Sequence, residues 1–309
     1  MDIALMIEGQ DGLNWARWKR LVRAAEDLGF AGLYRSDHFT NPNPPDKASL
    51  ELWVSLTWLA DNTERIEFGP LVTPMSFRHP VFTARMGKDV EALSDGRFIL
   101  GVGGGWQERE HEMFGFPLRK GAGRFDRLEE AVQVIHSLLR SESPVSFNGD
   151  YYQVKEAELL PRLEDRSRPP LLIGGNGQNR TLPLVAQYAD EWNGVFIDAE
   201  TYHELNQHQD GLLAEAGRSP SDVRRSVMTN VVFGDSQARL DEKLQARGRS
   251  LEDFMNGPEI VGVGDEIIPQ IRLYEEAGAE RIMLQWLEQD DLKGLEAMAH
   301  IVLPAFHDS

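Results

Sequence analysis

The 309-residue chain contains no cysteine. Disulfides, thiolate nucleophiles and cysteine-ligated metals are therefore excluded, and a reducing compartment such as the cytoplasm fits. Basic charge is scarce: 32 Lys and Arg face 50 Asp and Glu, a formal net charge of −18 that stays strongly negative even with all eight histidines protonated. Such a surface repels phosphate backbones and anionic lipid, so neither nucleic acid nor membrane is expected as a partner. No apolar run approaches the roughly 18 residues a membrane helix requires, and the start, Met1-Asp2-Ile3-Ala4, carries no basic leader. The remainder is ordinary for a folded protein, 41% hydrophobic and 27% charged. The expectation is a soluble, cytoplasmic α/β protein whose partner is a small molecule.

Short β-rich runs alternate with runs of helical period along the whole chain. Strands are expected at Ile3–Ile7, Gly32–Arg35, Ile66–Val72, Phe98–Val102, Leu171–Ile173, Glu191–Phe196, Arg225–Phe233 and Arg281–Trp286. The helices that follow them are Trp15–Leu28, Leu50–Ala60, Val81–Leu93, Phe125–Leu139, Arg180–Tyr188, Tyr202–Ala216, Ala238–Arg247 and Leu292–Val302. In the fourth helix Phe125, Leu128, Val132, Ile135 and Leu139 form the expected buried stripe. Eight strand–helix units in order predict a (β/α)8 TIM barrel, with residues 1–309 as a single domain. The rival, an open doubly wound sheet, rarely runs to eight uniform pairs. Val145–Leu160, with Asn148-Gly149 inside it, reads as a small hairpin insertion, and Glu266–Ala277 as an extra helix before the last strand. Arg162–Arg168 reads as a charged surface stretch, and Phe254–Gly264, with Pro258 and three glycines, as a loop over one barrel end.

In a barrel, chemistry sits on the loops after the C-terminal ends of the strands, so what each strand ends in is diagnostic. The first strand ends in Glu8-Gly9 and the second in Ser36-Asp37-His38. The third ends in Pro70-Leu71-Val72-Thr73-Pro74, the fourth in Gly103-Gly104-Gly105-Trp106, and the fifth in Gly174-Gly175-Asn176-Gly177. Gly174–Thr181 lies between a strand and a helix, where glycine amides and a helix N-terminus can approach a phosphate, with Arg180 and Thr181 adding a guanidinium and a hydroxyl. The alternative is a tight βα turn. It is not a dinucleotide fingerprint, because Arg180 replaces the last glycine, and Trp106 spoils the pattern at Gly101–Gly105. Asp37-His38 sets a carboxylate beside an imidazole that can hydrogen-bond a reacting group or a cofactor; the alternative is an exposed loop histidine. Glu108, Glu110, His111 and Glu112 read as a solvated helix face, and His203 and His208 as surface residues; no metal site is expected.

With these strand ends in view, the chain resembles the bacterial luciferase-like family of (β/α)8 flavin and deazaflavin oxidoreductases. The residues that carry the resemblance are Ser36-Asp37-His38-Phe39, Pro70–Pro74 with Phe77-Arg78-His79-Pro80, Ser94-Asp95-Gly96-Arg97-Phe98, Gly101–Trp106, Ile173–Gly177 and Tyr188–Asn193. The resemblance implies a cofactor across the barrel mouth, its phosphate at Gly174, Gly175, Asn176, Gly177, Arg180 and Thr181. It implies that Asp37 and His38 mark the branch that uses coenzyme F420, an 8-hydroxy-5-deazaflavin, with Gly104, Gly105 and Trp106 also beside the cofactor. A non-proline cis peptide and cofactor contacts at Pro70, Leu71 and Thr73 are implied at the end of the third strand, the cis bond aligning with Pro70-Leu71. Trp106 stands where the sugar-phosphate dehydrogenases of that branch carry a glutamate, which leaves His38 as the expected proton-transfer residue and Glu8 as the second candidate. Asp37 or the ring's hydroxyl would steer His38, while Trp106 and Phe39 would wall the ring. Thr40–Lys47 and Phe254–Gly264 would contribute to the substrate pocket.

The expected activity is hydride transfer between F420 and a small organic substrate, and a homodimer is the family's habit. The alternative on the same fold is an FMN-dependent monooxygenase that uses reduced flavin and oxygen. From another class, a non-catalytic flavin-binding protein would keep the glycine loop without needing His38.

Overall fold

Apolar strands flanked by amphipathic helices close into a parallel barrel. The computed structural model describes residues 1–161, 168–255 and 257–306. The charged stretch expected at Arg162–Arg168 therefore lies outside the described residues except for Arg168. In chain order the strands are β1 (Asp2–Ile7), β2 (Gly32–Arg35), β3 (Glu67–Pro70), β4 (Thr73–Pro74), β5 (Leu100–Gly103), β6 (Val145–Asn148), β7 (Gln153–Ala157), β8 (Leu171–Gly174), β9 (Glu191–Val195), β10 (Arg224–Gly234), β11 (Ile260–Val263) and β12 (Arg281–Gln285). The large sheet runs β3-β2-β1-β12-β10-β9-β8-β5-β4 with every pair parallel. A bridge between Phe68 and Phe98 joins its two ends. β3 and β4 occupy one barrel position, separated by a cis peptide at Leu71–Val72, so the count of positions is eight. The cis bond lies one residue beyond the expected Pro70-Leu71.

Side chains alternate across each strand. In β1, Ala4 and Met6 point into the barrel with Tyr34, Ile99, Leu172 and Met283, whereas Ile3, Leu5 and Ile7 face the helices. Closure between β3 and β5 needs glycine: a Cβ on Gly69 would sit 2.0 Å from the Ile99 carbonyl oxygen, and one on Gly101 would sit 2.1 Å from that of Pro70.

The helices are α1 (Trp15–Leu28), α2 (Leu52–Asn62), α3 (Pro80–Leu93), α4 (Glu108–Phe114), α5 (Ala122–Arg140), α6 (Thr181–Tyr188), α7 (Ala199–Glu215), α8 (Gln237–Arg247), α9 (Leu251–Met255), α10 (Ile267–Glu276) and α11 (Leu292–Phe306). Helix α1 shows why the pattern was readable: Asn14 caps its N-terminus by accepting from the Arg17 amide, Trp18, Leu21, Val22 and Ala25 are buried, and Gly29 ends it at φ 96°. The antiparallel β6–β7 hairpin and the extra helix α10 stand where expected.

Two expectations are corrected. The buried face of α5 runs through Leu128, Ala131, Val132, Val134, Ile135 and Leu138; Phe125 and Leu139 are only half-buried, because the helix is rotated so that Phe125 faces a cavity. Phe254–Gly264 is not a simple loop. It contains β11, whose Ile260–Val263 pair parallel with Val231–Gly234. β10 has eleven residues, long enough to serve the barrel with its first half and β11 with its second.

At the barrel floor, Arg281 is 1% exposed and its guanidinium donates to Tyr34 Oη at 2.6 Å, to Glu191 at 3.3 Å and to Glu67 and Asp2. Burial pushes the Glu191 carboxyl up, against the opposing pull of Arg281. This network ties the starts of β1, β2, β3, β9 and β12 together, at the opposite end from the strand tips.

Candidate active site

At the C-terminal ends of the strands lies a cavity of about 580 Å³, within the usual range for a small-molecule site. Glu8 comes to it from β1, Ser36 and His38 from β2, Leu71, Val72 and Pro74 from the β3–β4 junction, and Gly103, Gly104, Gly105 and Trp106 from β5. Gly174, Gly175, Asn176 and Gly177 follow β8, Thr181 opens α6, and Arg124 and Phe125 lie at the start of α5. The structure thus gathers eleven of the expected site residues: Glu8, His38, Leu71, Gly104, Gly105 and Trp106 on one side, and Gly174–Gly177 with Thr181 on the other. Asp37, Pro70, Thr73 and Arg180 do not line it.

His38 Nδ1 lies 2.9 Å from Oε1 of Glu110, which is 1% exposed; the other Glu110 oxygen accepts the Phe39 amide at 3.0 Å. A carboxylate only accepts, so Nδ1 carries the hydrogen and Nε2 is the nitrogen whose protonation can change. Burial works to lower the His38 pKa, but the hydrogen bond and charge of Glu110, with Glu8 and Asp37 behind it, outweigh burial and raise it above its ordinary value. Trp106 meets the imidazole edge-on with centroids 5.5 Å apart. The steering group is therefore Glu110, not Asp37. Asp37 is taken by Thr73 Oγ1 at 2.7 Å and by Arg78 through Nε at 3.0 Å and Nη2 at 2.8 Å, which fastens the β2 loop to β4. Phe39 also turns away from the cavity and packs on Phe77, Phe114 and Phe116.

Glu8 accepts from Gln10 Nε2 at 2.6 Å and from Gln285 Nε2. Ser36 Oγ donates to Gln10 Oε1 at 2.7 Å and accepts from the Gly9 amide at 2.8 Å. The carboxylate is held by Gln10 and Gln285, and Ser36 in turn holds Gln10.

In the glycine loop, the Asn176 side chain clamps Val195, donating to its carbonyl at 2.7 Å and accepting from its amide at 2.9 Å. Asn176 is therefore scaffolding, and what the loop offers an anion is its glycine backbone and Thr181. Arg180, expected at a phosphate, is paired with Asp126 and Glu129 instead. Arg124 is the arginine that does line the cavity: its buried Nε has no partner among the described residues, and its guanidinium lies 5.0 Å from the Phe125 ring.

A sequence profile of the luciferase-like monooxygenase family matches residues 4–255. The chain belongs to that family. As a luciferase-like family member it is an oxidoreductase. It is 30% identical over 280 residues to an F420-dependent glucose-6-phosphate dehydrogenase of Intrasporangium calvum, covering 86% of this chain and 79% of that protein. It is also 30% identical over 229 residues to the F420-dependent hydroxymycolic acid dehydrogenase of Mycobacterium tuberculosis, covering 72% of this chain and 61% of that protein's length. An F420-dependent secondary alcohol dehydrogenase, solved with an F420–acetone adduct, shares the fold with a TM-score of 0.86 at 20% identity, covering 99% of each chain. β12 and α11 fall outside the 4–255 segment, yet β12 pairs with both β1 and β10; this luciferase-like barrel does not close without them.

Two site residues of this family member escaped the sequence reading. Glu110 was placed with Glu108, His111 and Glu112 on a solvated face; Glu108 and Glu112 are exposed, but Glu110 and His111 are buried. His111 is held between the Gln107 carbonyl and Ser76 Oγ, at 2.7 and 2.8 Å. The signal available was an Glu-His pair in a stretch otherwise flanked by Trp106, Met113 and Phe114. Arg124 gave no signal, because a lone arginine in a Gly-rich helix start resembles any surface cation. Among the described residues, the expected substrate segments Thr40–Lys47 and Phe254–Gly264 contribute none to the cavity lining.

Proposed function

We propose that this chain, working as one unit over residues 1–309, moves a hydride between coenzyme F420 and a small organic substrate, with His38 handling the accompanying proton. What carries the reading is the His38–Glu110 pair on a cavity that is also lined by a glycine loop, a helix N-terminus and an arginine with an unpartnered Nε. Relatives at 30% identity that use F420 support it.

The residues present fit such a cofactor. Gly175 sits at φ +130°, and a Cβ on Gly177 would come 3.0 Å from Thr181 Oγ1, so backbone alone occupies the place where a phosphate would approach. Arg124 and Thr181 would hold that phosphate, and Leu71, Val72, Pro74 and Leu128 form an apolar wall for a flat ring system. When bound, the cofactor supplies the hydride chemistry at C5. His38, whose pKa is raised by Glu110 against the effect of burial, presents Nε2 to give a proton to, or take one from, the substrate oxygen. Glu110 fixes the ring's tautomer and orientation, Glu8 presents a fixed negative charge, and Trp106 shields His38 from water.

Val54 and Phe82, on the adjacent helices α2 and α3, are 57% and 64% exposed and support a homodimer burying that face. The lack of cysteine supports a cytoplasmic location. Equilibrium titration of the purified protein tests the cofactor: F420 binds at least tenfold more tightly than FMN, about 1.4 kcal/mol. Equal or tighter FMN binding overturns the reading in favour of an FMN-dependent monooxygenase; a Streptomyces relative that is 25% identical over 338 residues is named a 4-hydroxyprotoasukamycin monooxygenase.

A further inference from the structure

We infer that the substrate is a neutral, largely apolar alcohol or carbonyl compound, selected by the rings of Phe196 and Trp106 at the cavity mouth. This rests on the reading of the cavity as the hydride-transfer site. Charge comes first. Apart from His38, the ionisable side chains lining the cavity are Glu8 and Arg124. Glu8 is held by Gln10 and Gln285, and Arg124 belongs to the phosphate end. Among the described residues no second arginine or lysine lines the cavity to receive an anionic substrate, and a molecule of net charge −18 repels one at long range.

Phe196 follows β9 with φ +49°, a left-handed conformation that is unfavourable for a bulky L-residue and persists only where the surroundings impose it. They do so here: the Phe196 amide donates to the Met228 carbonyl at 3.0 Å, and the preceding Val195 is clamped by Asn176. The ring that this arrangement holds at the cavity is 42% exposed. Trp106 is 56% exposed while its ring meets His38. Protein packing leaves about half of each residue uncovered. An apolar ligand seated beside His38 covers such surface, and each methylene it buries raises affinity about fourfold.

The 309-residue protein is titrated by calorimetry with 2-alkanones of four to eight carbons and with glucose 6-phosphate; reduced F420 is titrated separately, and turnover of the same ketones is followed in its presence. In the wild type, affinity and kcat/KM climb two- to fourfold per added methylene, and glucose 6-phosphate binds more weakly than any ketone beyond five carbons. In Phe196→Gly and Trp106→Ala that climb falls below 1.5-fold per methylene. Phe196→Gly keeps or raises the thermal midpoint, because glycine adopts φ +49° freely. A flat response to chain length, or tighter binding of glucose 6-phosphate that persists in Arg124→Ala, where the phosphate end is removed, overturns the inference. So does a Phe196→Gly variant that melts earlier yet keeps the wild-type climb, since the ring would then be packing alone. If F420 binds and the climb is absent, this inference falls and the cofactor reading stands; if the climb is present and F420 does not bind, the reverse holds.

Discussion

His38 Nδ1 and Glu110 Oε1 lie 2.9 Å apart although 72 residues separate them. The same carboxylate fixes the Phe39 amide, so one buried group sets both the imidazole and the loop that carries it. Asp37, the neighbour that sequence proximity suggested, spends its oxygens on Thr73 and Arg78.

Replacing His38 separates proton transfer from binding. His38→Asn keeps a hydrogen-bonding group and most cofactor affinity, while single-turnover hydride transfer at saturating F420 falls by at least about 10². A rate within threefold of the wild type would remove His38 from the chemistry and bring Glu8 forward.

Glu110→Gln moves the titration of His38. Burial lowers the His38 pKa and the Glu110 charge raises it; with the charge gone, burial wins and the imidazole titrates at lower pH. The limb of the pH–rate profile that requires protonated His38 shifts the same way, and the imidazole resonances in NMR follow it. The sign for stability follows from the raised folded-state value. The pair's contribution is complete below the unfolded histidine value of 6.5 and is lost as pH rises through the folded value. The stability gap between wild type and Glu110→Gln therefore narrows as pH rises above 6.5 and through the folded value. A histidine titration unmoved by the substitution would show that Glu110 is not its partner in solution.

The anion end is tested by contrast. Arg124→Ala weakens F420 binding tenfold or more, whereas Arg180→Ala, which only breaks pairs with Asp126 and Glu129, changes it less than twofold. Gly177→Asp puts a carboxylate and a Cβ into the loop and abolishes measurable binding with the circular dichroism spectrum retained. Normal affinity in Gly177→Asp would reduce the loop to a turn.

The floor network makes a stability prediction independent of function. Arg281→Met leaves Glu191, itself almost wholly buried, without its cation. Breaking a buried pair from one side costs about 3–5 kcal/mol, read as a lowered denaturation midpoint. A loss below about 1 kcal/mol would mean that water or a neighbour replaces the guanidinium.

Local rules were enough for most of the architecture. The period of Trp18, Leu21, Val22 and Ala25, the cap at Asn14 and the stop at Gly29 define α1 without reference to the rest of the chain. Similar local signals recur through all eight units, so the barrel and the strand ends that face its mouth were legible. Its parallel pairings then follow from connectivity, because each strand returns only after a helix. β11 was missed because Ile260–Val263 is four residues between Pro258 and Gly264, and what makes it a strand is an edge of β10 that only the assembled sheet presents.

The sequence by itself determined which residue types arrive at the mouth: Glu8, His38, Trp106 and the Gly174–Gly177 loop. Tertiary structure decided what each of them does. It gave His38 to Glu110 rather than Asp37, turned Asn176 back onto Val195, spent Arg180 on Asp126 and left Arg124 facing the cavity. The physical reason is range. Periodicity and caps are read over one or two turns of chain, whereas a buried charge takes whichever opposite charge the fold brings within hydrogen-bond distance, and at this site that partner lies 41 to 72 residues away.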